Sequence, residues 1–316
     1  MIVDCHVHTY RWPEHRDREV VLRNLPSLAR NWPEEKFISL YDAPIERYIS
    51  ENMEGDGIDK AILVGVQSPK TNGVHVPNKY LADLVAKYPD KLAWCCDVIP
   101  TEEGAAEEVE RCVKEWGAIG VGELVTTTQC FYPNDERCYP VWEKAQELGV
   151  PIVIHCSPEQ GHSLPMKYGD PVLLDDVAIA FPELKIVICH LGYYKYEDAV
   201  FLLEKHEHVY ADLAWLSQIS GLDRTRMSSK YPPVLVPYFH WYYPILLYLS
   251  GTWGLRDKLI WGSDWPWSSP RNGIELLTNI NEYLRKDNLP EIPQEIIHNI
   301  LHENWKKVFK INGVED

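Results

Sequence analysis

Short apolar runs recur along the chain, separated by longer stretches in which apolar positions return every third or fourth residue. The first pattern marks a strand, and the second marks a helix with one buried face. Strands are predicted over 2–8, 60–66, 92–98, 118–124, 150–155, 185–190, 208–213 and 258–263. Helices are predicted over 102–116 with Thr101 as cap, over 138–148 with Gly149 as terminator, over 42–54 capped by Asp42, and over 77–88 and 175–181. This βα alternation predicts a parallel sheet. Eight strands with helices between them fit a closed (β/α)8 TIM barrel better than an open doubly wound sheet, which usually has fewer strands.

Two connections exceed what such units need. Segment 9–41 follows the first strand and carries Arg11, Trp12, His15 and Trp32, and segment 214–256 follows the seventh and is rich in Tyr, Trp and Pro. Barrels place substrate contacts in loops at the carboxyl ends of their strands, so both segments are expected to roof a site.

Composition narrows the picture. A length of 316 residues with 45% hydrophobic content supports a large core, and a single domain over 1–316 is expected. No run of about 18 apolar residues occurs, and Met1 leads into Ile2-Val3-Asp4 without a basic or apolar leader, which predicts a soluble cytoplasmic protein. A formal net charge of -16 argues against nucleic acid or an anionic membrane as partner. The 8 cysteines show no CxxC spacing and sit in apolar runs, so they read as reduced core residues.

Candidate chemistry begins in Asp4-Cys5-His6-Val7-His8. Strand alternation sends His6 and His8 to one face with Asp4 below them, and Val3, Cys5 and Val7 to the other. Two imidazoles about 7 Å apart along a strand can chelate one cation. The pair alone reads equally as surface or hydrogen-bonded histidines. Other ionisable groups follow apolar runs at strand ends: Glu123 after the fourth strand, His155 the fifth, His190 the sixth and Asp264 the eighth. Carboxyl ends of barrel strands form one rim, so these residues converge on one pocket, where burial demands a partner or a metal.

Together these pieces resemble the amidohydrolase superfamily, in the branch that holds lactonases, hydratases and non-oxidative decarboxylases. The matching segments are Asp4-Cys5-His6-Val7-His8, Pro151-Ile152-Val153-Ile154-His155, Cys189-His190-Leu191-Gly192, Trp261-Gly262-Ser263-Asp264-Trp265-Pro266 and Ile300-Leu301-His302-Glu303-Asn304-Trp305. The resemblance implies that His6, His8, His155 and Asp264 hold one divalent ion, most often zinc, with manganese as the alternative. It implies that Asp264 also shuttles a water proton and that His190 polarises the substrate or acts as acid and base. Three neutral nitrogens and one carboxylate would leave an open coordination position where water is acidified toward neutrality. Glu123 has two readings: a bridge that brings in a second ion, shared with His155 and His190, or an acceptor that orients a histidine N–H.

Asp212 reads as a support for these groups or as a structural aspartate. His162, His206, His208, His240, His298 and His302 read as surface or core histidines. The aromatic group Tyr231, Tyr238, Phe239, Trp241, Tyr242 and Tyr243 reads as a pocket lining or as the surface of a homo-oligomer.

Three functions are open at this level. The favoured one is metal-dependent hydrolysis of a lactone, ester or amide of a small carboxylic or aromatic compound. The second is non-oxidative decarboxylation of an aromatic or dienoic acid, and the third is a non-catalytic barrel. A substrate carboxylate would need a rim cation, for which Arg11, Arg224, Arg226, Lys230 and Arg271 are available, Arg11 first.

Overall fold

The computed structural model describes residues 1–25, 30–159, 161–219, 239–251 and 256–311. The strands are β1 Val3–Val7, β2 Lys60–Val64, β3 Gln67–Ser68, β4 Val74–His75, β5 Leu92–Cys95, β6 Val121–Val125, β7 Ile152–His155, β8 Ile186–Ile188, β9 Val209–Asp212 and β10 Leu259–Ile260. Strands β1-β2-β5 form one parallel sheet and β10-β9-β8-β7-β6 another, while β3 and β4 make a small antiparallel ribbon. Parallel bridges Val7 to Trp265 and Cys96 to Val121 join the two sheets at both seams. The eight strands outside the ribbon therefore close into a ring, with helices around it: the fold is a (β/α)8 barrel.

Every predicted strand is present in shorter form. The helix Tyr139–Leu148 shows how the sequence sets its elements. Pro140 sits in its first turn, where no amide hydrogen is needed, and Gly149 ends it at φ 67, a conformation that costs glycine little. Val141, Trp142 and Ala145 form its buried face, and the indole of Trp142 donates to the carbonyl of Pro133 at 2.9 Å.

Two expected caps are not caps. The helix Ala105–Trp116 starts after Gly104, at φ 83, and Thr101 lies upstream of it. Asp42 ends the helix Glu34–Tyr41 and does not start the next, which begins after Pro44. Its carboxylate is already taken by the Arg11 guanidinium and the Trp12 amide.

The core has an inside and an outside. Val3, Cys5, Ile62, Val64, Ala93, Cys95, Val153, Val187, Cys189 and Ile260 fill the lumen, and Trp305, Val308, Phe309 and Ile311 from the C-terminal segment pack onto them as a plug. A larger cluster joins the outward faces of the strands to the helices. Strand β1 breaks simple alternation, because its register against β2 shifts between Asp4 and Val7. Cys5 therefore shares the interior with His6, whereas Asp4 turns outward and accepts a hydrogen bond from Tyr48 at 2.7 Å. The expected grouping of Asp4 with the two histidines, and of Cys5 opposite them, is corrected by this shift.

Candidate metal centre

Strand ends bring His6, His8, Glu123, His155, His190 and Asp264 together, all at least nine-tenths buried. Their donor atoms form two trios, His6-His8-Asp264 and Glu123-His155-His190, each with its atoms within 4.8 Å of one another. Glu123 lies between the trios. Its Oε2 is 3.5 Å from His6 Nε2 and 3.2 Å from His8 Nε2, while its Oε1 is 3.0 Å from His155 Nδ1 and 3.3 Å from His190 Nε2. Asp264 Oδ1 faces His6 Nε2 at 3.9 Å and His8 Nε2 at 3.3 Å. His155 thus stands with Glu123 and His190, apart from the His6-His8-Asp264 trio with which the sequence grouped it.

Backbone geometry aims these side chains. Gly122 precedes Glu123 at φ 137, and a β-carbon there would come within 2.1 Å of the Val153 carbonyl oxygen. Only glycine lets β6 approach β7 closely enough to carry Glu123 inward. His190, Leu191 and Asp264 have φ of 56, 49 and 63, left-handed values that cost a side-chain-bearing residue about 1 kcal/mol or more each. Hydrogen bonds hold two of them: the His190 amide donates to Asp212 at 2.7 Å, and the Asp264 amide donates to the His6 carbonyl at 2.8 Å.

The tautomers follow from the surrounding acceptors. His6 Nδ1 donates to Asp212 Oδ2 at 2.9 Å and His190 Nδ1 donates to the Ala214 carbonyl at 3.0 Å, so the Nε2 of each is directed to the cluster. His155 is reversed. Its Nε2 faces Ser157 at 2.8 Å and Glu159 at 3.2 Å, leaving Nδ1 toward Glu123. Asp212, undecided in the sequence, therefore positions two of the histidines.

Electrostatics favour a cation here. Burial opposes charge on His6, but Glu123 and Asp212 outweigh it and hold its pKa well above the ordinary value. His155 is likewise opposed by burial and pushed up to about 9 by Glu123 and Glu159. Burial would raise Glu123, yet His6, His155 and His190 hold its carboxyl well below the usual range. His6 Nε2 is buried with no hydrogen-bond partner among the described residues. Ligands of one tetrahedral ion with bonds of ~2.1 Å lie about 3.4 Å apart, close to the 3.3 Å between His8 Nε2 and Asp264 Oδ1 and shorter than the 3.9 Å between His6 Nε2 and Asp264 Oδ1. The donor set of imidazoles and carboxylates suits a divalent transition ion.

A cavity of about 540 Å³ opens onto the cluster and is lined by His8, Glu123, His155, His190 and Asp264 below and by Tyr10, Arg16, Tyr41, Trp215 and Trp267 above. Segment 9–41 supplies three of these roof residues, Tyr10, Arg16 and Tyr41, and segment 214–256 supplies Trp215, as expected. His162 stands at its mouth. Arg11 does not line it: the guanidinium is 45% exposed and bound to Asp42 at 2.9 Å. Arg271 is likewise exposed and bound to Asp56 at 2.7 Å. Arg224, Arg226, Lys230, Tyr231 and Tyr238 lie outside the described residues. Tyr242 bonds Asp287 and Tyr243 bonds Glu197, away from the cavity. Arg16 and Glu159 join the cavity lining without having been expected there. Nothing in the local sequence distinguishes Arg16 from Arg11, and Glu159 lies just past the strand that ends in His155.

The sequence profile described as amidohydrolase matches residues 3–311. The chain belongs to the amidohydrolase family. Its relatives perform different reactions. One is a 2-keto-4-carboxy-3-hexenedioate hydratase of Sphingobium sp., 27% identical over 225 residues, a match covering 61% of this chain and 65% of that protein. The match thus spans slightly less than two thirds of that relative. Another is a gamma-resorcylate decarboxylase of Polaromonas sp., 22% identical over 311 residues and covering 81% of this chain and 87% of that protein. Among solved structures, one described as a probable 2-pyrone-4,6-dicarboxylic acid hydrolase from Acinetobacter baumannii superposes with TM-score 0.62 at 18% identity, covering 97% of this chain and 98% of that one. A dihydroxybenzoic acid decarboxylase from Polaromonas sp. with bound manganese superposes with TM-score 0.61 at 19% identity, covering 99% and 98%. Amidohydrolase-family members are enzymes that include hydrolases, a hydratase and decarboxylases. No helix among the described residues is long and apolar enough to cross a membrane.

Proposed function

We propose that this chain is a metal-dependent hydrolase that opens a lactone, ester or amide of a small carboxylic or aromatic compound. The observation that carries the reading is the division of the Glu123 carboxylate between two pairs of histidines, with Asp264 beside the first pair. His6, His8 and Asp264 would hold one divalent ion, zinc or manganese, and Glu123, His155 and His190 a second. This supports a two-ion centre, where the sequence favoured one. A bound ion supplies Lewis acidity toward a substrate oxygen and lowers the pKa of water.

The chain's own residues do the rest. Asp264 lines the cavity and takes a proton from the attacking water as its oxygen adds to the substrate carbonyl carbon. The C–O or C–N bond then breaks, and Asp264 returns the proton to the departing oxygen or nitrogen. His190, held by Asp212 and the Ala214 carbonyl, keeps the cluster rigid while this happens.

Decarboxylation is the second reading, favoured by the relative that matches over most of both chains. There the same groups would orient a carboxylate, and an acid would protonate carbon as carbon dioxide leaves. The experiment is elemental analysis followed by incubation of zinc- or manganese-loaded protein with a panel of lactones and aromatic carboxylates. Acid release supports hydrolysis, and carbon dioxide without acid release replaces it with the second reading. A protein that stays metal-free and unaltered in the presence of zinc and manganese removes both.

A further inference from the structure

Among the described residues, Arg16 is a buried cation without a counter-charge. Its residue is 7% exposed, its Nε has no hydrogen-bond partner, and among the described residues no carboxylate lies within 4.0 Å of its guanidinium. The guanidinium instead stacks over Tyr10 at 4.2 Å and Tyr41 at 4.9 Å, with Trp267 at 5.8 Å. Aromatic faces offset part of the cost of taking a cation out of water, but they satisfy none of its N–H groups. Arg16 also lines the cavity that holds His8, Glu123 and Asp264. Its backbone is fixed, because it bridges to Val74 and its amide donates to Pro13 at 3.1 Å. Two other arginines of segment 9–41 are spoken for: Arg11 pairs with Asp42, and Arg18 lies by Glu19 and Glu34.

We infer that Arg16 is the anchor for a substrate carboxylate, and that the substrate is a planar acid carrying this carboxylate in addition to the group that reacts at the histidine–carboxylate cluster. The inference deepens the function proposed above and rests on it for the identity of the reacting end. A guanidinium fork binds a planar carboxylate through two parallel hydrogen bonds. Tyr10, Tyr41 and Trp267 hold that fork in place and offer flat apolar surface beside it, which suits an aromatic or conjugated skeleton. An anionic ligand would supply the counter-charge that no described residue gives Arg16.

The test uses benzoate and benzamide as probes, titrated into the protein as purified and after chelation, with binding followed by calorimetry and tryptophan fluorescence. The wild type is expected to bind benzoate more tightly than benzamide in both preparations. Arg16→Met is expected to weaken benzoate about 10- to 100-fold and leave benzamide unchanged, and Arg16→Lys, which keeps the charge and loses the fork, to fall between. If Arg16→Met does not fold, the comparison of Arg16→Lys and Arg16→Gln with wild type serves the same purpose. Equal benzoate affinity in the variants and the wild type, or no saturable benzoate binding by the wild type, overturns the anchor. Failure of the metal reading is recognised separately, by absent zinc and manganese uptake with the benzoate preference intact.

Discussion

Asp212 and His6 share a hydrogen bond of 2.9 Å deep in the barrel, while the second oxygen of Asp212 takes the backbone amides of His190 at 2.7 Å and Ala214 at 3.1 Å. One carboxylate therefore sets the tautomer of a histidine from the first strand and the backbone of a histidine after the sixth. Burial works against its charge, but His6 and His190 hold its pKa below the ordinary aspartate range. It stays an acceptor.

Replacing Asp212 with Asn lets an amide N–H face His6 Nδ1 and drives the ring proton onto Nε2, the atom aimed at the cluster. The affinity for zinc is expected to fall about 10- to 100-fold, as measured by competition with a chromogenic chelator. Unchanged affinity would mean that His6 is oriented by its packing alone.

Asp264 carries a different expectation. Asp264→Asn keeps an oxygen toward His6 and His8 and loses the ability to accept a proton. Turnover should vanish while much of the metal remains, as read from elemental analysis beside steady-state rates. Near-normal rates in this variant would remove Asp264 from the mechanism.

Lys258 links stability to pH far from the site. It is 3% exposed, and its ammonium donates to the carbonyls of Leu203 at 2.6 Å and His206 at 2.5 Å. Burial pushes its pKa from 10.5 down to about 8, only partly offset by Asp257 and Glu207. Between these two values the unfolded chain holds the proton and the folded chain does not, so this group makes stability rise with pH across that window. Below pH about 8 both states are charged, and the cost of the buried charge is present in full. The urea midpoint of the wild type should rise relative to that of Lys258→Met between pH 7 and pH 10. A constant gap between them would show that Lys258 does not titrate in this window.

What could be read from the sequence follows from chemistry that is local along the chain. Apolar runs bounded by turns marked all eight barrel strands, and the ionisable residues that end those runs, His155 and Glu123 among them, do meet at one rim. Features that depend on pairing between distant segments leave no such local mark. The register shift in β1, which turns Asp4 outward to Tyr48, arises against β2 and has no signature in Asp4-Cys5-His6 itself. Arg11 and Arg16 are chemically identical, and they differ only because Asp42 reaches the first and the aromatic roof encloses the second. Division of the histidines into two trios depends on the depth of Glu123, which Gly122 permits through its close approach to Val153.

The seam between Val7 and Trp265 has a consequence for biosynthesis. His6 and His8 are synthesised well before Asp264 and the Trp305–Phe309 plug, so the ring cannot shut until the segment that carries Trp265 has been made. Contacts of such long sequence separation form slowly. A nascent chain truncated before Leu259 would carry the first two imidazoles on an unsealed edge strand, and their trio with Asp264 would be completed later than the trio of Glu123, His155 and His190.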